Sequence, residues 1–270
     1  MASNITLTEG MRANLLSLQN TTKLMELTQK RLATGKRVNT ALDDPINFFA
    51  AQNHQQRADD LAFRKDEMGE AIQTIKAADN GIDAITTLIA SAKSTAQSAL
   101  STSSTDERSD LAVQYNAILD QIDTLAADSG YKGVNFLAGE SLTVTFDPTG
   151  NSTLSVTGFN ANSGGLSIQD ATSNWGTSAN INASITQMDA ATTTLRTEAK
   201  DLSNSLSTIT TRQDFTDKMI NTLEDGVANL TNADLNEEGA NMLMLQTRQA
   251  LGTTALSLAS QAAQGVLRLF

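Results

Sequence analysis

The sequence predicts a mainly α-helical chain: an elongated helical-hairpin rod of long coiled-coil-like helices, with N- and C-terminal helices paired and a small β-hairpin excursion in the middle. Three observations carry this. First, steps of three and four from Ile185 to Leu230 land on fourteen positions, and all but Thr192, Gln213 and Thr216 are apolar. A sustained 3.5-residue repeat is a helix whose apolar seam faces another helix along its length. Such a helix is roughly 70 Å long, more than a compact domain of this size needs. Second, similar seams occur at both ends of the chain. Third, the apolar period shortens to two only in the middle.

The first segment, Ile5 to Leu32, carries the seam Met11, Leu15, Leu18, Thr22, Met25, Gln29, Leu32, with Leu7, Leu16, Leu24 and Leu27 beside it. Gly35 stands where a glycine just past a helix end is favoured. Asp44-Pro45 reads as the N-cap and first position of the next helix. That helix carries Ala71, Ile75, Ala78, Ile82, Ile85, Ile89, Ala92, Ala96 and Ala99 at steps of four and three, and its small far-end residues allow close approach. Ser104 with Glu107 is a capping box opening a further helix, with Leu111, Tyr115, Ile118, Ile122 and Leu125 on one face. It ends near Ser129-Gly130.

Beyond Tyr131 the pattern changes. Leu142, Val144 and Phe146 alternate with threonines; after Asp147-Pro148-Thr149-Gly150-Asn151, Leu154 and Val156 alternate with Ser155 and Thr157, the signal of a β-hairpin. The rest, to Asn182, is rich in Gly, Ser, Asn and Thr. Thr231 to Gly239 is polar and interrupts the seam. The last helix resumes the register at Met244, Leu251, Ala255, Leu258, Ala262 and Leu269. Beside it lies a second seam of Met242, Leu245, Gln249, Gly252, Leu256, Ala259, Ala263, Val266 and Phe270. A helix apolar on two faces has more than one partner.

Composition narrows the function. Net charge of −11 argues against binding a phosphate backbone, which needs clustered Lys and Arg. The chain has no cysteine, which excludes disulfides and thiolate metal sites. No run of about twenty apolar residues exists to insert in a membrane. The N-terminus has no basic region followed by an apolar one, so a cleaved secretory signal is not expected. The single histidine, His54, sits among Gln52, Asn53, Gln55 and Gln56, without a second ligand or triad partner. Asp43-Asp44 resembles an acid pair, but capping explains Asp44 better. Gly35-Lys36 resembles a phosphate loop, yet Lys30 stands where the first glycine is needed. No catalytic, cofactor or metal site is expected, and the chain is not expected to be an enzyme. The ends, by contrast, carry more large apolar side chains than one helix pair can bury. Ordering them calls for neighbours.

Three stretches resemble bacterial flagellin, of the compact alphaproteobacterial type. RLATGKRVNTALDDP (31–45) is similar to the family's segment between its first two helices; its linker-motif residues are Arg31, Gly35, Arg37, Asn39, Asp43 and Asp44. YKGVNFL (131–137) and the closing stretch 240–270 are similar to two further family segments, and Asp79-Asn80-Gly81 resembles a short Asp–Gly turn signature. The resemblance implies paired terminal helices (1–33 and 240–270) as filament inner core, polar linkers (34–44 and 231–239), a long-helix rod domain (45–139 and 184–230) and an outer excursion (140–183). It implies a polymerisation core of Met11, Leu15, Leu18, Met25, Leu32, Met242, Leu245, Leu251, Leu256, Val266 and Phe270. It further implies a secreted, extracellular subunit of the swimming filament. Such a subunit is exported unfolded by type III export and partnered by itself, an export chaperone, the export apparatus, and filament cap and hook-junction proteins. The alternatives are a hook–filament junction protein and, from another class, a cytoplasmic coiled-coil scaffold, which would not explain the three stretches.

Overall fold

The structure, a computed structural model, describes residues 9–267. Five long helices and one hairpin follow in order: α1 (Glu9–Thr34), α2 (Pro45–Ser101), α3 (Thr105–Asp128), β1 (Ser141–Thr145), β2 (Thr153–Thr157), α4 (Ser178–Thr231) and α5 (Leu235–Leu267). A single 3₁₀ turn, Thr172–Trp175, precedes α4. The chain divides into two compact units, one spanning Arg57–Thr222 and the other built from its two ends, up to Gln56 and from Leu223 onward.

In the central unit, the buried stripes of α2, α3 and α4 join in one core. All nine α2 positions expected from the sequence, Ala71 to Ala99, are buried. Every seam position of α4 is buried or half-buried, including the three polar ones. Thr192 is tolerated because its hydroxyl donates to the Met188 carbonyl one turn back (2.8 Å), and the Gln213 amide reaches the Lys65 carbonyl (3.4 Å). On α3 the inward face is rotated by about one residue, to Ala112, Tyr115, Leu119, Ile122 and Ala126. Leu111, Ile118 and Leu125 flank it, half-buried. Ser104 caps α3 by accepting from the Glu107 amide (3.3 Å), while the Glu107 carboxylate goes to the Thr102 hydroxyl instead of back to Ser104.

The hairpin pairs Leu142 with Val156 and Val144 with Leu154, antiparallel, in the register that the alternation implies. Before it, Tyr131 and Val134 exchange backbone hydrogen bonds (2.9 and 3.0 Å) across Lys132 and Gly133, both at positive φ, a tight turn. Asn135 then donates to the last α3 carbonyls, Ala126 and Ala127 (2.8 and 3.0 Å), and Phe136 and Leu137 enter the core. Trp175 closes the core against Tyr115, ring centroids 4.8 Å apart, with its indole N–H donating to Ser184 Oγ (3.1 Å).

Two boundaries and one turn signature differ from the sequence reading. Asp79-Asn80-Gly81 is not a turn but lies inside α2; a Cβ at Gly81 would fall 2.4 Å from Ser129 Oγ and 2.5 Å from Leu137 Cδ1. The glycine serves close packing. α4 starts at Ser178, not 184, because the Thr177 hydroxyl accepts from the Asn180 amide (3.3 Å) and starts the helix within the expected excursion. α5 starts at Leu235, not 240. Asp234 Oδ1 accepts from the amides of Asn236 and Glu237 (2.8 and 3.2 Å), and Glu237 and Glu238 favour the positive helix start.

Candidate functional site

In the unit formed by the chain ends, α1 packs along α5. The α5 face that meets α1 is the second of its two apolar stripes: Leu245 is buried, with Met242, Gly252, Leu256 and Ala259 half-buried. The first stripe points outward. Leu251 is 67 % exposed, with Leu243, Met244 and Leu258 comparably open.

On α1 the seam corrects the sequence reading. Met11, Leu18, Met25 and Leu32 face inward, but the covered positions between them are Asn14, Thr21 and Thr28, with Thr22 half-buried beside Thr21 and Leu15 and Gln29 exposed. Leu15 is exposed, as are Leu16 and Leu24. The reason lies at Gly252, where Leu18 packs so closely that a Cβ would sit 3.1 Å from its Cγ. Small residues on α1 suit this approach, and Thr21 satisfies its hydroxyl on its own helix, at Ser17 O (2.9 Å). The expected core set therefore separates. Met11, Leu18, Met25, Leu32, Met242, Leu245 and Leu256 line the α1–α5 contact, whereas Leu15 and Leu251 lie outside it. Val266 is in α5, with its side chain outside the described set, and Phe270 lies outside the described residues.

The linker-motif residues form a clasp at the base of this pair. Gly35, at φ +67°, ends α1 with its amide on Arg31 O (2.8 Å) and accepts from the Ala233 amide (3.0 Å). The amides of Arg37 and Val38 both donate to Thr231 O (2.7 and 3.1 Å), and the Arg37 guanidinium reaches Leu230 O (3.4 Å). The Asn39 side chain donates to Lys36 O (2.9 Å). Asp43 Oδ2 accepts from the Asn39 and Thr40 amides (3.0 and 2.9 Å), which hold its pKa below the usual carboxylate value. Asp44 caps α2 by accepting from the Asn47 amide (3.1 Å), which lowers its pKa as well. Arg31 pairs with the buried Glu238 at 2.7 Å through one nitrogen and one oxygen only; Arg31 Nε and Glu238 Oε2 are buried and unbonded. Sequence reasoning missed Glu238, assigned to a linker; its place seven residues before Leu245, the buried residue of the α1-facing stripe, was the available signal.

Among the described residues no group of His, Cys, Asp or Glu could hold a metal ion. No described helix is long and apolar enough to cross a membrane. A helical pair with one apolar flank inward and one outward, on a clasped base, is the architecture of a helical structural protein.

The comparisons agree. The family model for the bacterial flagellin N-terminal helical region matches residues 7–141, and that for the C-terminal helical region matches 177–270. Flagellin FljM of Caulobacter vibrioides is 31 % identical over 270 residues, covering 99 % of this chain and 98 % of that protein. A flagellin of Brucella melitensis is 28 % identical over 284 residues, covering 100 % and 99 %. The crystal structure of Bacillus cereus flagellin aligns with a TM-score of 0.48 at 17 % identity, over 56 % of this chain and 88 % of that one. This chain belongs to the bacterial flagellins. It is a structural subunit of the flagellar filament.

Proposed function

We propose that the outward faces of α1 and α5, carrying Leu15 and Leu251, are the surfaces through which copies of this chain polymerise, while the inward residues from Met11 to Leu256 hold the two helices together for that contact. Val266 and Phe270, expected in the polymerisation core, belong by sequence register to the second seam of the C-terminal segment and are proposed to take part in the same assembly. The observation that supports this is the outward set of large apolar side chains on two helices already paired on their other flank. Isolated apolar residues on a surface are ordinary, but a stripe on each of two adjoining helices marks an association site. In this reading the chain acts without catalysis, leaves the cell unfolded through the flagellar type III export apparatus with a chaperone on its C-terminal helix, and is added outside the cell beneath a cap protein, with hook-junction proteins at the filament base.

Seeded polymerisation tests the faces. Leu15→Asp and Leu251→Asp replace exposed residues, so the monomer's melting temperature should move by no more than about 2 °C. A charge buried between copies is costly, so elongation from wild-type seeds should stop. Filaments of normal length in negative-stain micrographs of either variant would refute the assignment.

A further inference from the structure

Where α2 begins, three large apolar side chains stand in solvent: Leu42 at 96 %, Ile46 at 81 % and Phe49 at 55 % exposure. They belong to neither helix face discussed above, and their spacing places Ile46 and Phe49 one turn apart on α2. In the same unit lies an open groove of about 260 Å³, lined by Val38, Phe48, Ala51, Gln52 and Val227 and rimmed by Lys36. An apolar cavity of about 150 Å³ takes a benzene-sized group, so this groove has room for a phenylalanine or a pair of aliphatic side chains.

Protrusion and groove face different ways in one chain, although the Phe48 and Phe49 rings touch edge-on at 5.6 Å where the two adjoin. At about 100° per residue, the direction shared by Ile46 and Phe49 lies roughly 140° around α2 from that shared by Phe48, Ala51, Gln52 and Gln55. An apolar protrusion on one side of a unit and a matching groove on another is the condition for a heterologous, head-to-tail contact, which generates an open helical array when the rotation does not close. Charge is complementary too. Asp43 and Asp44 flank the protrusion, Asp43 with Lys30 Nζ 3.6 Å away, and Lys36 on the groove rim makes no ion pair among the described residues.

We infer that Leu42, Ile46 and Phe49 of one copy seat in the Val38–Phe48–Ala51–Val227 groove of the next, a third contact between subunits beside the α1 and α5 faces. This rests on the polymerisation reading, with the partner a second copy of this chain. Burial removes three exposed apolar side chains from water at each junction, and Lys36 gains the acidic flank of its neighbour.

Because the chain has no cysteine, disulfide trapping can test the contact directly. The double variant Ile46→Cys/Gln52→Cys, polymerised on wild-type seeds and oxidised with copper-phenanthroline, should give a ladder of dimers, trimers and higher species on a non-reducing gel. Each single variant should give none. Normal filaments without a ladder would overturn the contact, as would dimers from Ile46→Cys alone, which report protrusion against protrusion. Ile46→Ser serves if the double variant does not elongate: it should slow seeded elongation about tenfold or more with the monomer's melting temperature unchanged. Wild-type elongation rates in Ile46→Ser would overturn the contact, while Leu251→Asp still blocking assembly would leave the polymerisation reading standing. Failure of the wild-type chain to elongate on seeds would overturn both.

Discussion

At Gly81 two effects oppose each other. Alanine is the better helix former by about 0.8–1.0 kcal/mol, which favours Gly81→Ala in mid-α2. Its methyl group, however, would meet Ser129 Oγ and Cβ and the fully buried Leu137 Cδ1 inside 3 Å. Overpacking a filled core costs about 1–3 kcal/mol, so the clash wins and Gly81→Ala should lower the urea midpoint of unfolding. An unchanged or raised midpoint would show that α2 and the end of α3 separate easily. Asp43 carries a pH dependence. The Asn39 and Thr40 amides, the Thr40 hydroxyl and Lys30 depress its folded pKa. A depressed folded pKa gives stability that is present above the unfolded value of about 3.9 and lost as pH falls through the lower folded one. Protection of the Asn39 and Thr40 amides, corrected for intrinsic exchange, should therefore drop in Asp43→Asn at pH 7. The difference from wild type should close as pH falls through the lowered folded pKa.

At the scale of the element, the contact between α1 and α5 is where expectation and structure part. Leu245 is buried against α1, so Leu245→Ala opens a cavity there at a cost of about 2–4 kcal/mol. Limited proteolysis of the monomer should then cut within 9–34 and 235–267 sooner than in wild type, with 57–222 resistant as before; equal resistance of the helices would mean the contact is not what orders them. The stripe on α5 was legible because two complete apolar repeats stood side by side and one had to face α1. The stripe on α1 was only half legible. Met11, Leu18, Met25 and Leu32 follow from periodicity, but the sequence seam runs through the apolar Leu15, whereas Asn14 and Thr21 hold the inner positions. Periodicity reports that a stripe is covered by something. It does not report whether the cover is the same chain or another, and here small polar residues were needed where Leu18 meets Gly252.

Across the whole molecule, legibility tracks how completely each unit satisfies itself. In the central unit the α4 seam from Ile185 to Ile220 and the nine α2 positions are covered, because a closed three-helix core leaves periodicity only one solution. The hairpin register likewise follows from alternation with period two. Helix starts were misplaced at α4 and α5, where Thr177 and Asp234 act as caps inside stretches that read as polar connections. In the linkers the motif residues were recognisable by resemblance, but the single-contact pairing of Arg31 with Glu238 depends on the two strands of the clasp meeting at Gly35 and Thr231, which no local pattern encodes. The outward leucines of α1 also bear on behaviour in solution. A lone subunit wears its stickiest side outermost, so the free monomer should cling to apolar surfaces and to itself as its concentration rises.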